Sequence, residues 1–329
     1  MALHHLAPTP ATVRFGMFDA AFPPVLTVNS GDTVVLECVS GGPESMPPAE
    51  MGLTIPPALL AIHAATLPRL GGHILTGPVA IHGAEPGDML EVHVDKIEFG
   101  AEWGFCGFRP LLGTLPEDFP ERFLSHIPID RARGVCLLPW GTELPLAPFF
   151  GVMGVAPPAR YGTLSSKEPR EHGGNLDNKE LGEGSTLFLP VHVPGANFSA
   201  GDGHGVQGDG EVCINALEIC LTGTFTLTLH KAQAHPGGGA HPGGGAKTPL
   251  LRFPRGESAT HYLSMGMHED LDVAMKQALR EMIAFICSRS NLSRAQAYTF
   301  CSLAVDFHVT QTVNGEKGIH GMLKKGLLF

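Results

Sequence analysis

Charge is scarce in this chain. Only 16% of its 329 residues are Asp, Glu, Lys or Arg, against 43% hydrophobic. That balance excludes a disordered chain, which stays unfolded because it has too little apolar surface to bury. Lys/Arg-rich runs are missing and the formal net charge is -10, so a nucleic-acid partner would find no basic face. Long hydrophobic runs are missing as well. The most apolar stretches, such as residues 57–67, are short and broken by His63, against the roughly 20 residues a membrane span needs. The start, Met1-Ala-Leu-His-His-Leu, has no basic segment followed by an apolar core, so no signal peptide is expected. Cys-x-x-Cys is absent too. The seven cysteines, Cys38, Cys106, Cys136, Cys213, Cys220, Cys287 and Cys301, sit mostly in apolar stretches. Reduced, buried thiols in a cytoplasmic protein account for them. None lies in the electropositive loop that a nucleophilic cysteine needs.

Glycine and proline are abundant, 42 and 28 residues. Without a collagen period they predict many short strands joined by tight turns. Residues 33–38 read as a short apolar strand. Residues 89–99 alternate, with Leu90, Val92 and Val94 on one side, then slip phase at Asp95-Lys96, which a bulge explains. Residues 187–193 and 213–220 are further strand candidates. Along 223–231, Phe225, Leu227 and Leu229 oppose threonines and His230, the clearest period of two. Gly31-Asp32 and Glu85-Pro86-Gly87-Asp88 are turns ahead of strands.

The last third changes character. Leu271, Met275, Ala278, Leu279, Met282, Ile283 and Ile286 have helical spacing over 270–288. Ser293-Arg294-Ala295-Gln296 is a capping box for a second helix, followed by a returning strand over 305–313. The expected fold is mainly β with an α+β C-terminal part: barrel- or sandwich-like layers plus two C-terminal helices. One segment stands apart. Ala-His-Pro-Gly-Gly-Gly occupies 234–239 and recurs at 240–245. No side chain there can build a core, so it reads as a flexible surface excursion, with His235 and His241 a weak Cu²⁺ or Ni²⁺ site at most.

The densest chemistry lies in Ser199-Ala200-Gly201-Asp202-Gly203-His204-Gly205-Val206-Gln207-Gly208-Asp209-Gly210-Glu211. Asp, His and Glu hold divalent metals or move protons. If the segment is extended, Asp202 and His204 share a face, as do Asp209 and Glu211. A polar catalytic or metal-binding loop is expected; a Gly/Asp turn cluster or a structural calcium loop is the plainer alternative.

Several motifs in order then resemble the acetamidase/formamidase family. They are Gly77-Pro78-Val79-Ala80-Ile81-His82-Gly83-Ala84-Glu85-Pro86-Gly87-Asp88; Phe149-Phe150-Gly151-Val152-Met153-Gly154-Val155-Ala156-Pro157-Pro158; Gly173-Gly174-Asn175-Leu176-Asp177; and Pro194-Gly195-Ala196 running into the loop through Glu211. The likeness extends from about Gly31 to about Gly321. It implies hydrolysis of a short aliphatic amide, formamide or acetamide, to a carboxylate and ammonia. It also implies a β-rich fold and self-association as a dimer or higher homo-oligomer. Residues 1–222 form the β-rich part carrying the signature loops. Residues 223–329 form the α+β part with the low-complexity loop at 234–246, the two making one intimate catalytic unit. Two departures stand out: His82 occupies a commonly acidic position, and the His-Pro-Gly-Gly-Gly repeat is foreign to the family.

Amide hydrolysis requires an activated water, a stabilised oxyanion and a protonated leaving nitrogen. A divalent metal, Zn²⁺ or else Ca²⁺, serves the first two needs. Asp202 and His204 are the expected ligands, with His73 as third and His82 as the alternative. Glu211 is the expected proton shuttle, with Asp209 or Glu85 able to exchange roles. Asn175, Asp177 and Gln207 are expected to bind the substrate amide or orient a ligand. Two rivals remain: a non-catalytic metal- or small-ligand-binding β protein of the same fold, and a metallochaperone built on the repeat.

Overall fold

The computed structural model describes residues 1–232 and 251–329; the His-Pro-Gly-Gly-Gly repeat lies outside the described residues. The organising element is the strand Glu218–His230. It pairs antiparallel with Asp32–Cys38 on one edge and with the 20-residue strand Met89–Phe108 on the other. The register slips between Thr224 and Phe225, opposite Lys96 and Val94, leaving Asp95 unpaired. This is the bulge expected from the phase slip. Phe225 and Leu227 point inward and are fully buried, while the threonines that alternate with them, Thr224, Thr226 and Thr228, are partly exposed. Met89–Phe108 also pairs with Thr186–Pro190 and Phe123–Asp130.

A second layer faces this one. Ile74–Ile81 pairs antiparallel with Phe198–His204, which pairs in turn with Phe149–Gly154. Both inner strands are buried along their whole length. Phe150, Phe198 and Phe225 meet between the layers, centroids 5.3 and 5.7 Å apart. Val34, Leu36, Val92 and Leu221 fill the space around them. Each such side chain contributes about 1.5–3 kcal/mol by leaving water, enough in sum to hold buried polar groups between the layers.

The C-terminal part continues the same sheet system. Thr186–Pro190 pairs with Arg255–Glu257, which pairs with His261–His268. His261–His268 and Val305–Gln311 flank Lys317–Lys324. Helix Leu271–Arg289 lies on this sheet through Ala274, Ala278, Met282 and Ile286. The Asp270 side chain caps it, accepting from the N–H of Asp272 and Val273 at 2.8 and 3.1 Å. Ser293 and Gln296 form the capping box of helix Arg294–Ala304. Gly266 lets the first helix close on the sheet: a Cβ there would sit 2.0 Å from the carbonyl oxygen of Ala274. Among the described residues no helix is long and apolar enough to cross a membrane.

The mainly β fold with two C-terminal helices is as expected. Several strand bounds differ from expectation: strand 89–99 runs on to Phe108, and strand 305–313 stops at Gln311. Strand 187–193 stops at Pro190. Residues 213–217 are not strand; the chain turns through Glu211 and Ile214, at φ of +45° and +83°, and enters the strand only at Glu218.

Candidate active site

Phe198–His204 is an inner strand rather than a solvated loop, and its glycines are there for close approach. A Cβ on Gly203 would sit 2.4 Å from the carbonyl oxygen of Ile219. Across the ladder, a Cβ on Gly151 would lie 2.5 Å from Asp177 Oδ1 and 2.8 Å from Asp202 Oδ2. Glycine at 151 therefore makes the room that the carboxylates occupy.

The centre of that room is His204, fully buried and edge-on to Phe149 at 5.0 Å. Its Nε2 faces Asp202 Oδ2 at 3.4 Å, Glu218 Oε1 at 3.5 Å and Asp177 Oδ1 at 3.8 Å. It makes no hydrogen bond, and neither does Asp177 Oδ1 or Glu211 Oε2. Ligand atoms of Asp177, His204 and Glu211 lie within 4.8 Å of one another, and so do those of Asp202, His204 and Glu218. On the other side of the ring, His204 Nδ1 lies 3.0 Å from Gln207 Oε1, while Gln207 Nε2 donates to the Asp177 carbonyl at 2.8 Å. Asn314 donates to Asp177 Oδ2. Asn215 Nδ2 and the N–H of Ala216 donate to Glu218 Oε1, both at 3.2 Å. His73 stands at the edge, 3.8 Å from Asp202 Oδ2, with Nδ1 on Ser166 Oγ at 2.9 Å.

Burying four carboxyls around one imidazole is costly without a compensating positive charge. Burial pushes Glu211 and Glu218 well above the usual carboxylate range, and their neighbouring carboxylates add to it. Asp177 is raised mainly by burial, with His204 opposing. Burial alone would lower His204, but Glu218, Asp202 and Asp177 outweigh it and raise the imidazole to about 10. Burial would raise Asp202, yet His73 and His204 hold it down.

The cluster forms the floor of a cavity of about 510 Å³. Asn175, Asp202, Glu211, Glu218 and Asn314 face into it. Asn175 Oδ1 is buried without a partner.

Seven sequence-derived candidates thus meet: His73, Asn175, Asp177, Asp202, His204, Gln207 and Glu211. Three do not. His82 is exposed in the turn beyond Ile81, with its N–H on the Val28 carbonyl at 2.8 Å. His73 lies at the opposite end of the same strand, Ile74–Ile81, about 30 Å of strand rise away, so the two histidines cannot share a centre. Glu85 is exposed in the same turn. Asp209 turns outward to Lys179 and His308, at 3.1 and 3.2 Å. Glu218 and Asn314 complete the cluster and are not among the sequence-derived candidates. The signal for Glu218 was a lone acid inside the apolar run Ala216-Leu217-Glu218-Ile219-Cys220.

A sequence profile described as the acetamidase/formamidase family matches residues 12–167 and 161–316. The chain belongs to the acetamidase/formamidase family. A formamidase of Methylophilus methylotrophus is 30% identical over 45% of this chain and 49% of its own length. An acetamidase of Mycolicibacterium smegmatis is 29% identical over 43% and 49%. The chain thus spans about half the length of these two curated relatives. The crystal structure of an acetamidase from Bacillus halodurans is 30% identical and covers 97% of both chains with a TM-score of 0.80. This acetamidase/formamidase family chain therefore shares its whole fold with that structure.

Proposed function

We propose that this chain hydrolyses a short aliphatic amide, formamide or acetamide, to the carboxylate and ammonia. The reading is carried by the buried His204 cluster at the floor of the cavity, with family membership behind it. The donor set fits a divalent cation. His204 Nε2 is buried without a partner and faces Asp202 Oδ2 and Glu218 Oε1, an arrangement that a shared cation would relieve. Asp202, His204 and Glu218 are the residues proposed to hold it. Imidazole with carboxylates suits Zn²⁺, and the excess of oxygen donors suits Ca²⁺. When bound, such an ion lowers the pKa of water and polarises a carbonyl.

The chain's own groups do the rest. Gln207 Oε1 accepts a hydrogen bond from His204 Nδ1–H, which leaves Nε2 free to be a ligand. Glu211 faces the cavity and takes the role of moving a proton from water to the departing nitrogen. Asn175, with a free buried Oδ1, is placed to accept from the substrate NH₂.

Self-association and a cytoplasmic setting belong to the same reading. Leu111, Leu115 and Phe119 are large apolar side chains left exposed on this chain, a supply of apolar surface that a second copy would cover. All seven cysteines are free, which suits a reducing compartment.

Ammonia release from formamide and acetamide, paired with metal analysis of the purified protein, tests the proposal. Turnover of either amide that is lost on chelation and restored by the metal is expected. Bound metal with no ammonia from any small amide would instead favour the non-catalytic binding protein.

A further inference from the structure

Outside the carboxylate cluster, one other pair of reactive side chains meets. Among the described residues, Cys106 and Cys213 are the cysteines whose sulfurs touch, Sγ to Sγ 3.7 Å. Cys106 lies near the end of strand Met89–Phe108, opposite Ser125. Cys213 lies on the loop between Glu211 and Glu218. Both thiols point at one acceptor, the carbonyl oxygen of Asn215, at 3.6 and 3.5 Å. Neither is sealed from solvent. Both are half-buried and line a second cavity of about 400 Å³, whose wall also includes Glu211 and Trp140. The amide-hydrolysis chemistry uses neither sulfur.

We propose that Cys106 and Cys213 form a dithiol site that a hydroperoxide or a soluble disulfide closes to an intramolecular disulfide, and that closure disables the adjoining carboxylate cluster. With a hydroperoxide the chemistry balances in two steps. One sulfur attacks the peroxide: an S–O bond forms, the O–O bond breaks and an alcohol or water leaves. The second sulfur attacks the first: the S–S bond forms, the S–O bond breaks, and water carries off the remaining thiol proton. The two thiols lose two electrons and two protons, and the peroxide is reduced. With a soluble disulfide, two exchanges release two small thiols.

The geometry says which side moves. A disulfide needs its sulfurs about 2.05 Å apart, so the pair must close by well over an ångström. Strand Met89–Phe108 is held on both edges here: Phe105 pairs with Glu218 and Cys106 with Ser125. The loop has no such ladder, and two of its non-glycine residues, Glu211 and Ile214, already sit at positive φ, a sparsely populated conformation. The loop therefore yields. It carries Glu211 two residues before Cys213 and Asn215 two residues after, and Asn215 holds Glu218 Oε1 at 3.2 Å. Closure also removes both S–H donors from the Asn215 carbonyl. One displacement thus reaches both Glu211 and Glu218.

The activity readout rests on the amide-hydrolase reading; the cross-link readout does not. The full chain is treated with hydrogen peroxide and, separately, with glutathione disulfide. Thiols are then counted after denaturation, and unreduced peptides are mapped by mass. The count should fall from seven to five, with Cys106 and Cys213 in one linked peptide pair. Loss of support for the cluster should lower ammonia release about 10–100-fold, with recovery in dithiothreitol. Cys106→Ser and Cys213→Ser should each release ammonia before oxidation and lose the response to it. Seven remaining thiols, a link between other cysteines, or a Cys106–Cys213 link with undiminished ammonia release each overturns the proposal. If the reduced protein hydrolyses no amide, the functional reading fails, and the thiol count and peptide map still decide whether the dithiol closes.

Discussion

Gln207 fixes which nitrogen of His204 keeps its proton when the ring is neutral. Its Nε2 donates to the Asp177 carbonyl at 2.8 Å, so its Oε1 must accept, and that oxygen lies 3.0 Å from His204 Nδ1. The Nδ1 position therefore carries the proton, and Nε2 turns toward Asp202, Glu218 and Asp177. A metal-ligating imidazole is oriented in this way by its second nitrogen.

Gln207→Leu should therefore weaken metal retention about 10–100-fold, the usual effect of losing an orienting partner. Fold stability should change much less, because Gln207 is only half-buried. A chelator competition curve beside a thermal melt separates the two effects. An unshifted competition curve would mean that Gln207 is not needed to aim the ring.

Glu218 illustrates a site group that costs the empty fold stability. Burial, with Asp202 and Asp177 nearby, pushes its carboxyl well above the usual range despite His204. At neutral pH the folded chain must then hold either an unfavourable charge or an extra proton. Metal-free Glu218→Gln should melt above metal-free wild type, in the usual trade of stability against function. A cation present at 100 times its Kd adds about 2.7 kcal/mol to wild type; in the variant that gain should shrink. Melts in chelator and in excess Zn²⁺ measure both terms. A lower metal-free melting temperature for the variant would contradict the argument.

How much of this was legible in the chain depends on how local each signal is. The helix caps at Asp270 and Ser293 and the inward Phe225 and Leu227 are set by neighbours in sequence, and all were readable. So was the pairing of Asp202 with His204, because a strand puts alternate residues on one face. His73 ranks ahead of His82 in the sequence, but His82 is ruled out only by the fold, since which end of strand Ile74–Ile81 meets the cluster is decided by strand pairing far along the chain. Glu218 hid for a related reason. An acid in an apolar run reads as a flaw in a strand until the like-charged residues that surround it are brought in by the fold. The glycines of 199–211 suggested a loop. The purpose of Gly201 and Gly203, close contact with the carbonyls of Ile74 and Ile219, appears only once neighbouring strands lie against them.

His172 gives the protein an acid sensitivity with a defined sign. Both ring nitrogens are buried without partners, and the ring meets Phe18 edge-on at 5.0 Å. Burial, with lesser repulsion from His192 and Arg170, pushes it from 6.5 down to about 3. The folded state thus keeps it neutral where the unfolded chain protonates it. Between those two values the unfolded state binds more protons, so stability is full above about 6.5 and is lost as pH falls toward 3. His320, lowered to about 4 mainly by burial, acts in the same direction. Urea midpoints should fall from pH 7 to pH 4, and His172→Phe should flatten part of that fall. Parallel curves for the two proteins would show that His172 is already protonated in the fold.

Glu211 supplies the most direct test of the chemistry. Its carboxyl faces the cavity while Oε2 has no partner, and Asp202 and Glu218 remain beside His204 to hold a cation without it. Glu211→Gln keeps the shape and removes the proton acceptor. The variant should therefore retain metal and bind the amide, yet turn over about 10²–10⁴-fold more slowly, the typical contribution of a general acid–base group. The loss should fall on kcat rather than KM, because the proton moves only in the chemical step. A structural role makes a different forecast. If Glu211 served only to pin its loop at positive φ, the Gln side chain could still accept hydrogen bonds and kcat would stay near that of wild type. If Glu211 were an indispensable metal ligand, metal content would fall together with kcat. Single-turnover rates on metal-loaded protein, with the metal assayed in the same sample, distinguish all three. Near-normal kcat would remove Glu211 from proton transfer. The role could not then pass to Asp209 or Glu85, since the first is tied to Lys179 and His308 and the second is exposed in a distant turn.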